Sequence, residues 1–284
     1  MMAVSLNRNT TLSRMWRNRN LMIGLVMVII VIMIAIFADF IAPYAYDDSG
    51  LAPKFTPPCK EHPFGTDDFG RDVFSRVVYG SRISLKVALI AVLIEVVLGV
   101  SVGLLSGYYG GNVDRVFSFI GDLTWSMPPI IMSMAVITVL GKGIDKVVVA
   151  IAIVSWAQYA RIVRAKTQSL KNMAFVETGI AFNEKDLSIM FRYILPNIVP
   201  SIIVLASLSI PATIMNTTAL SFLGLGSMPP SPDWGLALSN SMSFISRAPW
   251  LAIYPGLALV FTVFGFNLLG EGMRDILDPR TKLR

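Results

Sequence analysis

From Leu21 to Ala38 the chain runs 18 residues without a charged side chain. At ~1.5 Å per residue, a helix of that length nearly crosses a ~30 Å hydrocarbon layer. Comparable apolar runs recur, so that spans are placed at 21–41, 84–107, 116–140, 147–163, 198–220 and 250–269. In lipid every backbone N–H and C=O must be bonded within its own segment, so runs of this length are predicted to be helices. Composition agrees: charged residues make up 15% of the chain, where a water-soluble domain carries about a quarter. The expected fold is therefore an all-α integral membrane protein of about six transmembrane helices. The first run exceeds the ~7–15 apolar residues of a signal peptide and no A-x-A-like cleavage site follows it, so an uncleaved anchor is expected.

Orientation follows from the bases. Arg8, Arg14, Arg17 and Arg19 precede the first span, and Arg161, Arg164, Lys166, Lys171, Lys185 and Arg192 crowd 161–193. Arg274, Arg280, Lys282 and Arg284 close the chain. Six spans put these three regions on one side, which the positive-inside tendency makes the cytoplasm, with both termini there. Acids outnumber bases in the 42–80 loop, which falls outside. The net charge of +6 thus reflects topology, and bases without interleaved aromatics do not form a nucleic-acid surface.

Enzyme chemistry finds few residues to use. One cysteine (Cys59) and one histidine (His62) cannot supply the four ligands of a structural zinc site, and a lone cysteine forms no internal disulfide. Their C-x-x-H spacing falls in a Pro-rich outer loop and is read as structural. No G-x-x-x-x-G-K-[ST] phosphate loop occurs, and no Ser/His/Asp set can be assembled around a histidine on the outer loop.

Polar residues within the spans are the usual trace of a pathway. The candidates are Glu95 in the second span, Asp122 in the third, and Asn216 and Thr217 near the outer end of the fifth. For Glu95 a cavity wall and a packed helix interface remain open alternatives. For Asp122 the structural reading is preferred, because it is shallow enough for its carboxylate to reach the interface. Pro128 and Pro129 should bend the third span, Pro211 the fifth and Pro255 the sixth. Gly99, Gly103 and Gly107 make two G-x-x-x-G steps that allow a neighbouring helix to approach closely, by default one of this chain.

Between the fourth and fifth runs lies a charged insert of helical character, Phe175 to Asn197, FVETGIAFNEKDLSIMFRYILPN. It resembles the cytoplasmic loop of ABC-importer permeases, an E-A-A pattern, then a glycine, then a hydrophobic L-P-N ending. Glu177, Ala181 and Ile194-Leu195-Pro196-Asn197 match; Thr178 and Gly179 replace the two alanines, and Asn183 replaces the glycine. Asn is the next residue after Gly to accept a left-handed turn, while Gly179 costs about 1 kcal/mol of helix propensity against Ala. Further stretches are similar to the dipeptide/oligopeptide/nickel branch of that family. They are Gly65-Thr66-Asp67 with Gly70-Arg71-Asp72 and Ser75-Arg76, the run Ser221-Phe222-Leu223-Gly224-Leu225-Gly226, and Asn267 through Arg280. One anchor before the G-T-D run fits the C-type member of the permease pair. Thr217 stands where a glutamate is common.

The resemblance implies a type I ABC importer permease fold with a cytoplasmic coupling helix. It divides the chain into a tail and anchor (1–63), the outer signature segment (64–83), the permease domain (84–272) and a cytoplasmic tail (273–284). It also implies a homologous permease partner, two cytoplasmic ATPases, an extracytoplasmic binding protein and residence in the lipid of the cell membrane. Glu177, Gly179, Ala181, Asn183, Pro196 and Asn197 would dock the ATPase. ATP and Mg would be bound by those partners, with no cofactor, metal or catalytic residue in this chain. Di- or oligopeptides are the expected cargo, with nickel or a metal chelate as the alternative. A proton-coupled secondary transporter would have only Glu95 for its coupling site.

Overall fold

The computed structural model describes Trp16 and residues 18–277; the basic tail around Arg8 and Arg14, Arg17, and the closing Asp278-Pro279-Arg280 lie outside the described residues. The described part is helical, with a single isolated bridge, Thr66–Asp72, and no strand. Five helices are long and apolar enough to span: α1 (Arg19–Ile36), α3 (Val73–Tyr109), α6 (Ile144–Lys171), α9 (Leu195–Phe222, continuous with the turns before it) and α11 (Trp250–Leu277). A sixth crossing is built from α4 (Gly111–Thr124) and α5 (Pro129–Leu140). Short helices complete the order: α2 (Ala38–Ile41), α7 (Ala174–Ala181), α8 (Asp186–Ile189) and α10 (Trp234–Ser241).

The third span is not one bent rod. Its two halves meet at 92° across Trp125–Pro128. Neither Pro128 nor Pro129 has an N–H to continue the helix. The carbonyls freed at the end of α4 are taken locally: Gly121 O accepts from Trp125 N–H and Thr124 Oγ1, and Leu123 O accepts from Ser126 Oγ at 2.7 Å. By contrast α9 runs through Pro200 and Pro211, and α11 through Pro255, without interruption.

The second span also departs from its sequence boundary, beginning eleven residues before Ser84. At 37 residues α3 is roughly 55 Å long, well beyond a ~30 Å hydrocarbon layer. Residues 73–83, expected in an outer segment, are thus the first turns of this helix. Asp72 starts it: its Oδ2 accepts from the Ser75 N–H and hydroxyl, both at 2.7 Å, and its Oδ1 lies 2.9 Å from His62 Nδ1. An N-cap of this kind satisfies donors that the helix leaves open.

Packing between helices rests on small residues where backbones meet. Gly99, Gly103 and Gly107 of α3 face Tyr159, Val163 and Thr167 of α6, so the partner of the glycine stripe belongs to this chain. Gly24 of α1 lies against Gly265 and Leu269 of α11. Val28, Val31, Leu85, Ile214, Trp234 and Phe266 then form a core shared by α1, α3, α9, α10 and α11.

Candidate functional site

At the end of the bundle carrying α7, the insert forms a braced elbow. Val176 is fully buried among Leu104, Tyr108, Val163, Ile189 and Ile194, so α7 is seated on α3 and α6. Glu177 and Ala181 point outward, as do Phe175, Ile180 and Phe182. Asn183 adopts φ +53°, the left-handed turn expected of it. Its N–H bonds Ile180 O, and the Glu184 N–H reaches back to Gly179 O at 3.1 Å, the paired bonds of a Schellman cap. Gly179 is buried with open contact distance to the Tyr193 ring.

Beyond the turn, Glu184 accepts from Tyr193 OH at 2.6 Å and Ser188 Oγ at 2.8 Å. The Tyr193 bond first, then that of Ser188, holds the Glu184 carboxyl below its ordinary value. Tyr108 at the end of α3 donates to Asp186 at 3.0 Å, and Lys171 donates to the Tyr108 carbonyl at 2.6 Å. A cation at a helix C-terminus is where the helix dipole favours it. Pro196 has no N–H for Arg192 O, and the chain there takes a wide π turn, Met190–Ile194. Asn197 Nδ2 donates to Tyr193 O at 2.6 Å, and both Pro196 and Asn197 are exposed.

The opposite end is held by the G-T-D run. Asp67 accepts from the backbone N–H groups of Phe69 and Arg71 and from Arg71 Nε at 2.7 Å. Gly65 and Gly70 supply the positive φ that these tight turns require. Arg76 donates to the carbonyls of Tyr46, Pro230 and Ser231, lashing two outer loops to α3. Trp234 donates to Val77 O at 3.0 Å with its ring against Gly80. A recess of about 600 Å³ remains between this scaffold and α10, with Asp68, Arg71, Pro229 and Phe244 on its walls. Burial, and then neighbouring Asp67, push the Asp68 carboxyl above its ordinary range. Cys59 and His62 form a turn rather than a ligand pair: the Cys59 N–H bonds His62 O, the His62 N–H bonds Cys59 Sγ, and His62 is turned to Asp72.

Within the spans the four polar candidates separate. Glu95 is 1% exposed, and Tyr159 of α6 is buried beside it, so it occupies a packed helix interface. Thr217 is buried and bonds Ile214 O one turn back, while Asn216 is half-buried. Asp122 differs: its side chain is 72% exposed and lies 3.0 Å from Arg161 Nη2. The structure therefore places its carboxylate on an open surface, bonded across to α6. Asp122 and Arg161 border a cleft of about 270 Å³ between α3, α4 and α6. Arg161 also stacks over Trp125 at 5.3 Å, and one turn on, Arg164 grips Asp114 with two bonds. Arg161 and Arg164 carry weight in the sequence only as markers of topology. No local spacing marks this charged seam, because each pair joins residues on separate helices.

Two family models match the chain. "Binding-protein-dependent transport system inner membrane component" covers residues 99–283, and "N-terminal TM domain of oligopeptide transport permease C" covers residues 9–58. The dipeptide transport system permease protein DppC of Alkalihalophilus pseudofirmus is 41% identical over 94% of this chain and 88% of its own length. The glutathione transport system permease protein GsiD of Pectobacterium atrosepticum is 41% identical over 90% of this chain and 85% of its own. The oligopeptide transport system permease protein OppC of Bacillus subtilis is 36% identical over 93% and 87%. Among solved structures, a chain from the "Crystal structure of an amino acid ABC transporter with histidines" superposes with a TM-score of 0.53 at 19% identity. It covers 71% of this chain and 94% of that one, and supports the fold alone.

Proposed function

The chain belongs to the family of binding-protein-dependent transport system inner membrane components, and from that premise we propose that it is the permease subunit of an ABC importer for short peptides. Relatives named for dipeptides, oligopeptides and glutathione share peptide cargo, which supports that substrate class. The observation that carries the reading is α7, a capped helix seated by Val176 on α3 and α6 with Glu177 and a set of apolar side chains facing outward. A helix so braced transmits a push, where a solvated tether would not.

In this reading α7 and both termini face the cytoplasm, and the chain pairs with a homologous permease. Two ATPases, which bind ATP and Mg, grip the inserts of the pair; the chain itself has no ATPase site. Closure of the ATPases drives the two inserts together and exchanges inward for outward access. A binding protein delivers peptide at the end built by the G-T-D run and α10. Glu177→Lys tests the docking: uptake of labelled dipeptide by cells carrying the full system should be lost, while membrane insertion and pairing with the second permease persist. ATP-dependent uptake at the unaltered rate would overturn it.

A further inference from the structure

The seam between α4 and α6 holds two ion pairs of unlike character. Arg164 and Asp114 close on each other through two bonds, and their side chains are 34% and 16% exposed. Arg161 and Asp122 share one contact at 3.0 Å and remain 57% and 72% exposed. Asp122 lies eight residues beyond Asp114 along α4, roughly 12 Å closer to the break at Trp125. An open charged pair on helices that are long and apolar enough to cross a membrane is costly wherever lipid meets it, so its exposed side belongs to an aqueous path or to a ligand. The guanidinium has five donors, and here one reaches Asp122 while the ring of Trp125 covers a face. Several donors and most of a carboxylate are left to bond something else.

We propose that the Arg161–Asp122 pair is a transit site for the two charged ends of a short zwitterionic peptide. Arg161 would take the α-carboxylate with its planar fork, and Asp122 the α-ammonium. The ligand replaces one ion pair by two, so no charge is left uncompensated while it is bound. Adjacent Cα atoms of a peptide are ~3.8 Å apart, which sets the charged ends of an extended dipeptide roughly 6 Å apart, so it bridges the two groups once their 3.0 Å contact has opened by several ångströms. Trp125 and Trp156 line the same region with apolar surface for whatever side chains pass. Recognition limited to the ends makes this a site for free-ended peptides of varied sequence, and it excludes cargo lacking either charge. The inference rests on the peptide reading above.

The test uses the full complex of permease pair and ATPases in nanodiscs, with Cys59→Ser and a single reporter, Ser118→Cys, on the cleft wall. The rate at which a thiosulfonate reagent labels residue 118 is followed against rising Ala-Ala, and against Ala-Ala acetylated at one end and amidated at the other. Free Ala-Ala should slow labelling and the blocked analogue should not. Arg161→Gln should raise the half-protecting concentration roughly tenfold or more, as loss of a bond between charged groups requires, and Arg161→Lys should restore part of it. Phe117→Cys supplies a second reporter should residue 118 disturb assembly. Equal protection by the blocked analogue, unchanged protection with Arg161→Gln, or none by Ala-Ala would overturn the site. Peptide uptake by the unaltered complex with its binding protein separates the two claims. Uptake without protection removes this site alone; failure of uptake removes the peptide reading.

Discussion

Replacing Gly103 by alanine adds one methyl group at the closest approach of α3 and α6. A Cβ there would stand 2.7 Å from Ala160 O and 2.7 Å from Val163 Cβ, about 0.7 Å inside the 3.4 Å at which ordinary contact begins. The first is a backbone atom and the second is bonded directly to the backbone, so neither can rotate away. The helices must separate, or the bundle must twist, and forced overpacking of this kind costs about 1–3 kcal/mol. Alanine returns up to about 1 kcal/mol of helix propensity, which leaves a net loss of roughly 1–2 kcal/mol. Gly121→Ala is the matched control, because its Cβ would meet only Ala157 Cβ at 3.5 Å. Unfolding of the purified chain in mixed micelles of rising SDS fraction, followed by tryptophan fluorescence, measures both. Gly103→Ala should unfold at a lower SDS fraction than the unaltered chain, and Gly121→Ala at the same fraction or a higher one. If Gly103→Ala were as stable as the original, the close approach of these two helices would be refuted.

Gly179→Ala should have the opposite sign, since its Cβ meets the Tyr193 ring at 3.5 Å and Ile189 Cγ1 at 3.6 Å, which is ordinary contact. Hydrogen exchange across α7 should slow by the equivalent of about 0.5–1 kcal/mol with uptake intact, and faster exchange would contradict it. The lowered value of Glu184 means that its bonds favour the ionised form, so their contribution is present above the ordinary 4.5 and is lost as pH falls through the lowered folded value. Tyr193→Phe should move the Glu184 titration up toward 4.5 in carboxyl NMR of labelled glutamate; an unmoved titration would mean that the bond is not made. Asp72→Ala removes the cap of α3 and leaves buried His62 and Ser75 without their acceptor, at a cost of roughly 2 kcal/mol or more in the same SDS assay. Asp72→Asn, which keeps a capping oxygen, should cost less, and a loss below about 0.5 kcal/mol for alanine would contradict the cap.

Charge-free runs located the spans because lipid leaves the backbone one solution, and the spacing of Gly99, Gly103 and Gly107 announced a close helix contact. The start of α3 was hidden because Arg76, Tyr79 and Arg82 look like loop residues. They are helical because their polar ends are satisfied from elsewhere: Arg76 by carbonyls of residues 46, 230 and 231, Tyr79 by Asp39, and Arg82 by Ala35 O and Asp39. No local pattern records those partners. Two adjacent prolines did signal a bend, but its size depends on the tertiary packing of α5 against α6, where Ile137, Val147 and Ile151 share a core. In the insert, Asn183 was legible because a left-handed turn is a local property of one residue. The Arg161–Asp122 pair was not, because it joins residues 39 apart on facing helices.

These contacts divide the structure mechanically. Val176 seats α7 on α3 and α6, and the Lys171–Tyr108–Asp186 set ties the ends of those two helices to each other and to α8. The glycine stripe then joins α3 to α6 over about 12 Å from Gly99 to Gly107, with the two backbones in close approach. In the proposed mechanism a push on α7 would be passed to α3 and α6 together. The neighbouring α4 meets α6 differently, at Gly121 and through long arginine side chains reaching Asp114 and Asp122, and it ends at a break with no helical bonds across Pro128 and Pro129. Rotamer changes in Arg161 and Arg164 cost little compared with parting a glycine-packed helix pair. The α4–α6 seam, where the open cleft lies, is accordingly the place where one helix shifts most easily against its neighbour.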